Sequence, residues 1–117
     1  ARILQLRHVP AGEVVGYGGV WRAERDSRIA VINMGYADGY LRCHSAKGTG
    51  RWEGFKFPTI GRVSMDLLAF DVTDVEDLAE GDWISLDYDL KRVSDASGLS
   101  QYELLTVLGQ RFDRIWH

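Results

Sequence analysis

Val14-Val15-Gly16-Tyr17-Gly18-Gly19-Val20-Trp21 joins two short apolar runs through three glycines. Glycine admits positive φ and close approach, so the segment reads as an extended run that is bulged or sharply bent. Tyr17 at its centre is open to two readings. It is a plug in a tight bend, or a polar side chain held out at a mouth. The flanking chain has the same character. Ala1 to Val9 reads as a strand with its register disturbed near Leu4, followed by the turn Pro10-Ala11-Gly12-Glu13. Arg28 to Met34 is a β-branched strand apolar enough to be buried on both faces.

Further along, Asp38-Gly39 favours a turn and Leu41 to Gly50 reads as irregular. Arg51 to Phe57 suggests a hairpin around Gly54. Thr59 to Val72 is a long apolar stretch broken at Gly61-Arg62 and Ser64-Met65-Asp66. Thr73 to Asp82 is an acidic loop, and Trp83 to Leu86 a strand. Ser100-Gln101-Tyr102-Glu103 is a capping box, which predicts a helix with Tyr102, Leu105, Thr106 and Leu108 on one stripe and Gly109 as its stop. Val93 to Ser97 suggests one helical turn before it, and Arg111 to Trp116 reads as a final strand. Many short strands with glycine turns predict an all-β barrel or sandwich carrying one short helix near the C-terminus.

The 117 residues suit one domain. A net charge of −3 with scattered basic residues argues against nucleic-acid binding. No apolar run reaches membrane-spanning length. One cysteine, Cys43, excludes an internal disulfide framework and predicts a reducing, cytoplasmic setting. His8, His44 and His117 have no ligand spacing, and the acidic stretch from Asp71 to Asp82 lacks an EF-hand period, so no metal is predicted. Ser64 is not in a nucleophile elbow, and Lys47-Gly48-Thr49-Gly50 lacks phosphate-loop spacing. Tyrosines and arginines remain. Tyr17, Tyr36, Arg42 and Arg62 each fall where a strand pattern breaks. Structural burial is the simpler reading of the tyrosines. Together the four could instead form a cationic mouth for a small carboxylate or phosphate.

Four motifs in order carry a resemblance: Val15-Gly16-Tyr17-Gly18-Gly19, Gly35-Tyr36-Ala37-Asp38-Gly39, Gly61-Arg62-Val63-Ser64-Met65-Asp66, and Tyr102-Glu103 with Arg111 to Arg114. They resemble the C-terminal domain of the alanine racemase family across nearly the whole chain. The resemblance implies a Greek-key-like β-barrel that completes a fold type III, pyridoxal phosphate-dependent enzyme. An N-terminal (β/α)8 domain of that enzyme carries the cofactor lysine. In a head-to-tail homodimer the β-domain completes the site of the other subunit.

Residue by residue, the resemblance makes Tyr17 the catalytic tyrosine, acting on the face of the substrate Cα opposite the lysine. Met65 matches the position whose main chain meets the substrate carboxylate. Tyr36, Arg42, Arg62 and Asp66 match the substrate entrance. Gln110 stands where the family often has a tyrosine reaching the cofactor phosphate, and its amide can still donate a hydrogen bond. The expected partners are the (β/α)8 domains of both subunits and L- or D-alanine. Lys47, Lys56 and Lys91 match no cofactor-lysine motif, and the chain opens in a strand without methionine. It is therefore expected to be a fragment, inactive alone. The competing expectations are a related amino-acid racemase, a racemase-like dimerisation or binding module without catalysis, and an unrelated oligonucleotide-binding-type barrel.

Overall fold

A computed structural model describes residues 1–16, 21–45 and 47–115. Among these residues eight strands precede two short helices. The strands are β1 (Ile3–Val9), β2 (Val14–Val15), β3 (Trp21–Arg22), β4 (Ser27–Ile32), β5 (Thr49–Trp52), β6 (Phe55–Ile60), β7 (Leu68–Asp71) and β8 (Ser85–Leu86). The helices are α1 (Leu90–Ser97) and α2 (Gln101–Thr106). No helix among the described residues is long and apolar enough to cross a membrane.

Six strands form one antiparallel sheet in the order β1-β4-β7-β6-β5-β8, and β2 pairs with β3 as a separate ribbon. Consecutive β5, β6 and β7 lie side by side, and β8 returns beside β5, which is the Greek-key order. The ring then closes. The segment leading into β8 pairs back onto the start of β1, with Arg2 opposite Trp83. The Ile84 N–H donates to the Ala1 carbonyl at 2.8 Å, and the Ile3 N–H to the Asp82 carbonyl at 2.9 Å. Closure removes the exposed edges that an open six-stranded sheet would leave.

Local sequence accounts for the register. The disturbance expected near Leu4 is a bulge between Ile3 and Gln5 in the β1–β4 ladder. β4 has inward residues on both faces, as its β-branched run predicts: Ile29, Ala30 and Ile32 are all buried. The β5–β6 hairpin turns at Glu53-Gly54, both at positive φ (48° and 83°), the combination that matches strand twist in a two-residue loop. Inside the barrel Phe57 meets Phe70 edge-on at 5.5 Å, packed with Ile3, Ile32, Leu68 and Val72. Each such side chain, fully buried, contributes about 1.5–3 kcal/mol relative to exposure.

The acidic loop serves structure. Asp74 pairs with Arg25, Glu80 accepts from the Leu6 N–H, and Asp82 accepts from the Ala79 N–H. The Arg28 guanidinium reaches across to donate to the Val75 and Glu76 carbonyls.

The C-terminal third departs from expectation. The single turn expected at Val93 to Ser97 is an eight-residue helix, α1, started by Asp89, whose carboxylate accepts from the Arg92 N–H at 2.9 Å. The capping box of α2 is formed in both directions, Glu103 N–H to Ser100 Oγ at 3.1 Å and Ser100 N–H to Glu103 Oε2 at 3.2 Å. The residue that α2 buries is Leu104, while Tyr102 and Leu105 are exposed. The helix stops at Thr106, before Gly109. The final strand expected from Arg111 to Trp116 does not form over 111–115. Arg111 is held there by its side chain instead of a ladder.

Candidate functional site

The site grows from the way two glycine-led motifs dock. After β4 the chain makes a 3-10 turn, Tyr36–Asp38, preceded by Gly35. The Tyr36 N–H donates to the Ser64 carbonyl at 2.9 Å, and the Ala37 N–H to the Met65 carbonyl at 3.0 Å. This approach requires glycine at 35, because a Cβ there would lie 2.3 Å from the Ser64 oxygen and 2.4 Å from the Met65 oxygen. The Met65 carbonyl is thus occupied. Its N–H makes no hydrogen bond among the described residues.

A second 3-10 turn, Arg42–His44, follows. It brings the Arg42 guanidinium carbon to 4.8 Å from the centre of the Tyr36 ring, a cation–π contact. Ser45, just beyond, accepts a hydrogen bond from the Val63 N–H at 3.0 Å. The result is an open cleft of about 620 Å³, lined by Tyr36, Arg42 and Ser45 from the two turns and by residues 62–65 of the Gly61–Asp66 motif. Among the described residues neither Arg42 nor Arg62 has an acidic partner. Two guanidiniums beside exposed backbone suit a small carboxylate or phosphate.

Behind the cleft stands a charged cluster. Asp38 is 2% exposed, and its carboxylate accepts from the Gly35 N–H at 3.1 Å. It also takes a bidentate grip from Arg111, at 2.7 Å from Nε and 2.8 Å from Nη2. Nη1 of Arg111 reaches Asp66 at 2.9 Å. The bond to Asp38, reinforced by that to Asp66, holds the Arg111 guanidinium above its usual pKa range.

An aromatic cluster, buried at Tyr40 and half-buried at His44 and Tyr88, adjoins the Arg42–His44 turn. The Tyr40 and His44 rings are centred 4.7 Å apart, and Tyr88 lies 6.0 Å from His44. Burial, then the charge of Asp87, pushes the Tyr40 phenol up to about 12. Burial pushes the His44 imidazole down.

Of the residues singled out in the sequence, Tyr36, Arg42, Arg62 and Met65 come together around the cleft. Asp66 and Gln110 are exposed and are not among its lining residues; Asp66 is turned to Arg111. Tyr17 lies outside the described residues. The preceding residue, Gly16, runs beside Gly61, with 3.8 Å from a Cβ built on it to the Gly61 Cα. Ser45 carries no sequence signal of its own, and Arg111, though part of the fourth motif, none that marks it as the partner of Asp38. A buried Asp38 demands a cation, but nothing in Asp38-Gly39 distinguishes it from an ordinary turn aspartate, and its partner is 73 positions away.

Comparison with known proteins matches this arrangement to one family. The family model described as alanine racemase, C-terminal domain, matches residues 1–116. The chain is 50% identical, over 98% of its length, to an alanine racemase of Acidiphilium cryptum, and 43% identical, over 99%, to one of Rhizobium meliloti. It spans about a third of the length of these relatives, 33% and 35%. The fold superposes on alanine racemase from Bartonella henselae, a structure with covalently bound pyridoxal phosphate, with a TM-score of 0.87 and 40% identity. That match covers 98% of this chain and 33% of the other. Family match, sequence identity and superposed fold agree over nearly every residue, and the chain belongs to the alanine racemase C-terminal domain family.

Proposed function

We propose that this chain forms part of a pyridoxal phosphate-dependent alanine racemase, which interconverts L- and D-alanine, and that it lines the route to a site completed by a (β/α)8 domain. The observation that carries the reading is the cleft itself. Tyr36 and Arg42, from two successive turns, meet Arg62 and Met65 of the Gly61–Asp66 motif, at the positions the family resemblance assigns to substrate entry and binding.

The residues present fit the rim of a pyridoxal phosphate site and not its covalent attachment. Lys47, Lys56 and Lys91 are exposed and none borders the cleft, so the attaching lysine would come from the (β/α)8 domain. Gln110, also exposed, would offer an amide to a phosphate oxygen. When bound, the cofactor supplies an electron sink that makes the substrate Cα proton removable.

This chain's share of the reaction follows from its residue types. Arg42 and Arg62 attract the alanine carboxylate and orient it on entry. The Met65 N–H is a donor for that carboxylate, in a place where its carbonyl is already tied to Ala37. Racemisation needs a proton taken from Cα on one face and one returned on the other. The Tyr17 phenol oxygen is the group assigned to one of those faces, alternately holding and releasing a proton. Gly16, the residue before Tyr17, runs beside Gly61, one residue ahead of Arg62. Completion of the site by a second subunit, in a homodimer in the cytoplasm, belongs to the same proposal.

The test uses the complete protein loaded with pyridoxal phosphate. Conversion of L-alanine to D-alanine is expected, with Tyr17→Phe slowing it by about 10²–10⁴-fold, the usual contribution of a positioned acid–base group. Loaded protein that turns over serine but not alanine would make this a related amino-acid racemase. Loaded protein with no turnover would leave a dimerisation or binding module.

A further inference from the structure

We propose that Arg111 is a positioning residue for the cleft, setting the angle between the Tyr36 turn and the Met65 segment from behind. The proposal rests on the functional reading above and deepens it. The two motifs are joined by two backbone bonds, Tyr36 N–H to Ser64 and Ala37 N–H to Met65. Two adjacent bonds act as a hinge, fixing approach but leaving rotation about their line. Arg111 grips both leaves of that hinge. Nε and Nη2 hold Asp38, the last residue of the Tyr36 turn, and Nη1 holds Asp66, the residue after Met65.

Neither acid lines the cleft, yet Asp38 is two residues from Tyr36 and Asp66 is next to Met65. Asp38 is buried, so its carboxylate needs the guanidinium as a counter-charge. The planar fork also dictates orientation, which a lysine ammonium, a point charge, does not. The same anchor carries Gln110, its neighbour in the chain, and the Gly109 N–H reaches the Asp38 carbonyl at 3.4 Å.

The experiment measures kcat and KM for alanine in the complete, pyridoxal phosphate-loaded protein, with Arg111→Lys, Arg111→Gln, Asp66→Asn and the Arg111→Gln/Asp66→Asn double variant. Misplacing the Tyr36 and Met65 groups should raise KM about tenfold or more in Arg111→Gln, with a smaller change in kcat. Arg111→Lys should recover part of the loss. Asp66→Asn should add nothing in the Arg111→Gln background, because its effect passes through the same guanidinium. A purely structural role predicts less folded protein with unchanged kcat and KM in what remains, and that result overturns the proposal. If Arg111→Gln does not fold, the Arg111→Lys and Asp66→Asn constants decide it by the same criterion. If the wild-type protein does not racemise alanine, the functional reading falls and a crystal structure of Arg111→Gln decides the positioning role. A Tyr36–Asp38 turn rotated against Ser64 and Met65 is expected; an unmoved turn overturns it.

Discussion

Gly35 lies so close to Ser64 that a single added methyl group would come within 2.3 Å of the Ser64 carbonyl oxygen. The contact is backbone against backbone, so no side chain can move aside to relieve it. Gly35→Ala should therefore separate the two motifs and destabilise the fold by about 1–3 kcal/mol, the usual cost of overpacking. Urea unfolding of the complete protein checks this, and KM for alanine should rise in the same variant, because Tyr36 and Met65 part company. Unchanged stability would mean that the motifs are not held at this distance.

Tyr40 is fully buried and its hydroxyl has no hydrogen-bond partner among the described residues. A buried orphan hydroxyl costs about 1–3 kcal/mol, and its removal with the ring retained recovers part of that. Tyr40→Phe is expected to leave stability unchanged or raise it by about 1 kcal/mol. Gly48→Ala should be strongly destabilising, since its Cβ would fall 1.9 Å from the Tyr40 oxygen. The two should couple: Gly48→Ala should cost less in the Tyr40→Phe background, which a double-mutant cycle of thermal or urea unfolding reads directly.

His44 packs on Tyr40 with its Nε2 buried and unpartnered, and burial lowers its pKa below the usual 6.5. The sign follows from proton counting. Between the lowered folded pKa and 6.5 the unfolded chain binds more protons, so stability rises with pH there and is lost as pH falls below about 6.5. Above that window the imidazole is neutral in both states and contributes no slope. Asp74 and Asp87, whose pKa values are lowered by their hydrogen bonds to Arg25 and Arg51, titrate in more acid solution, below 3.8. His44→Phe should flatten the stability profile between pH 5.5 and 7 (roughly the window in which an unperturbed imidazole titrates). A slope as steep as in the wild-type protein would exclude His44 as its source.

Arg42 rests on the Tyr36 ring at the edge of the cleft. An exposed cation–π contact is worth about 0.5–1 kcal/mol. Arg42→Ala should accordingly raise KM for alanine by about two- to fivefold through the loosened Tyr36 and the lost carboxylate attraction, with kcat little altered. The effect should shrink at high salt, which screens exposed charge. If neither KM nor kcat changes, Arg42 has no part in substrate entry.

Much of this molecule was legible before any coordinate. β1 bends at Leu4 because its apolar period slips there, and α2 begins at Ser100 because Ser and Glu three apart satisfy each other's backbone donors. α1 was underestimated. Its start depends on an aspartate cap, and it buries only Val93, so it leaves a weak apolar signature in the sequence. The residues after α2, read as a strand from Arg111 to Trp116, form none over 111–115. In the folded chain Arg111 has a better partner in Asp38 than any ladder offers.

By itself the sequence determined the β-rich class, the capped helix and the family resemblance, which singled out Tyr36, Arg42, Arg62 and Met65; that these four meet around one cleft is a product of the fold. Periodicity, caps and glycine-led motifs are local properties, and local properties survive in a string of letters. The closure of the barrel through Arg2 and Trp83, the burial of Tyr40, and the bridge from Arg111 to Asp38 and Asp66 were decided by tertiary structure alone. Each joins or encloses residues far apart in the chain. A buried carboxylate or hydroxyl acquires its meaning only when packing removes the water that would otherwise satisfy it.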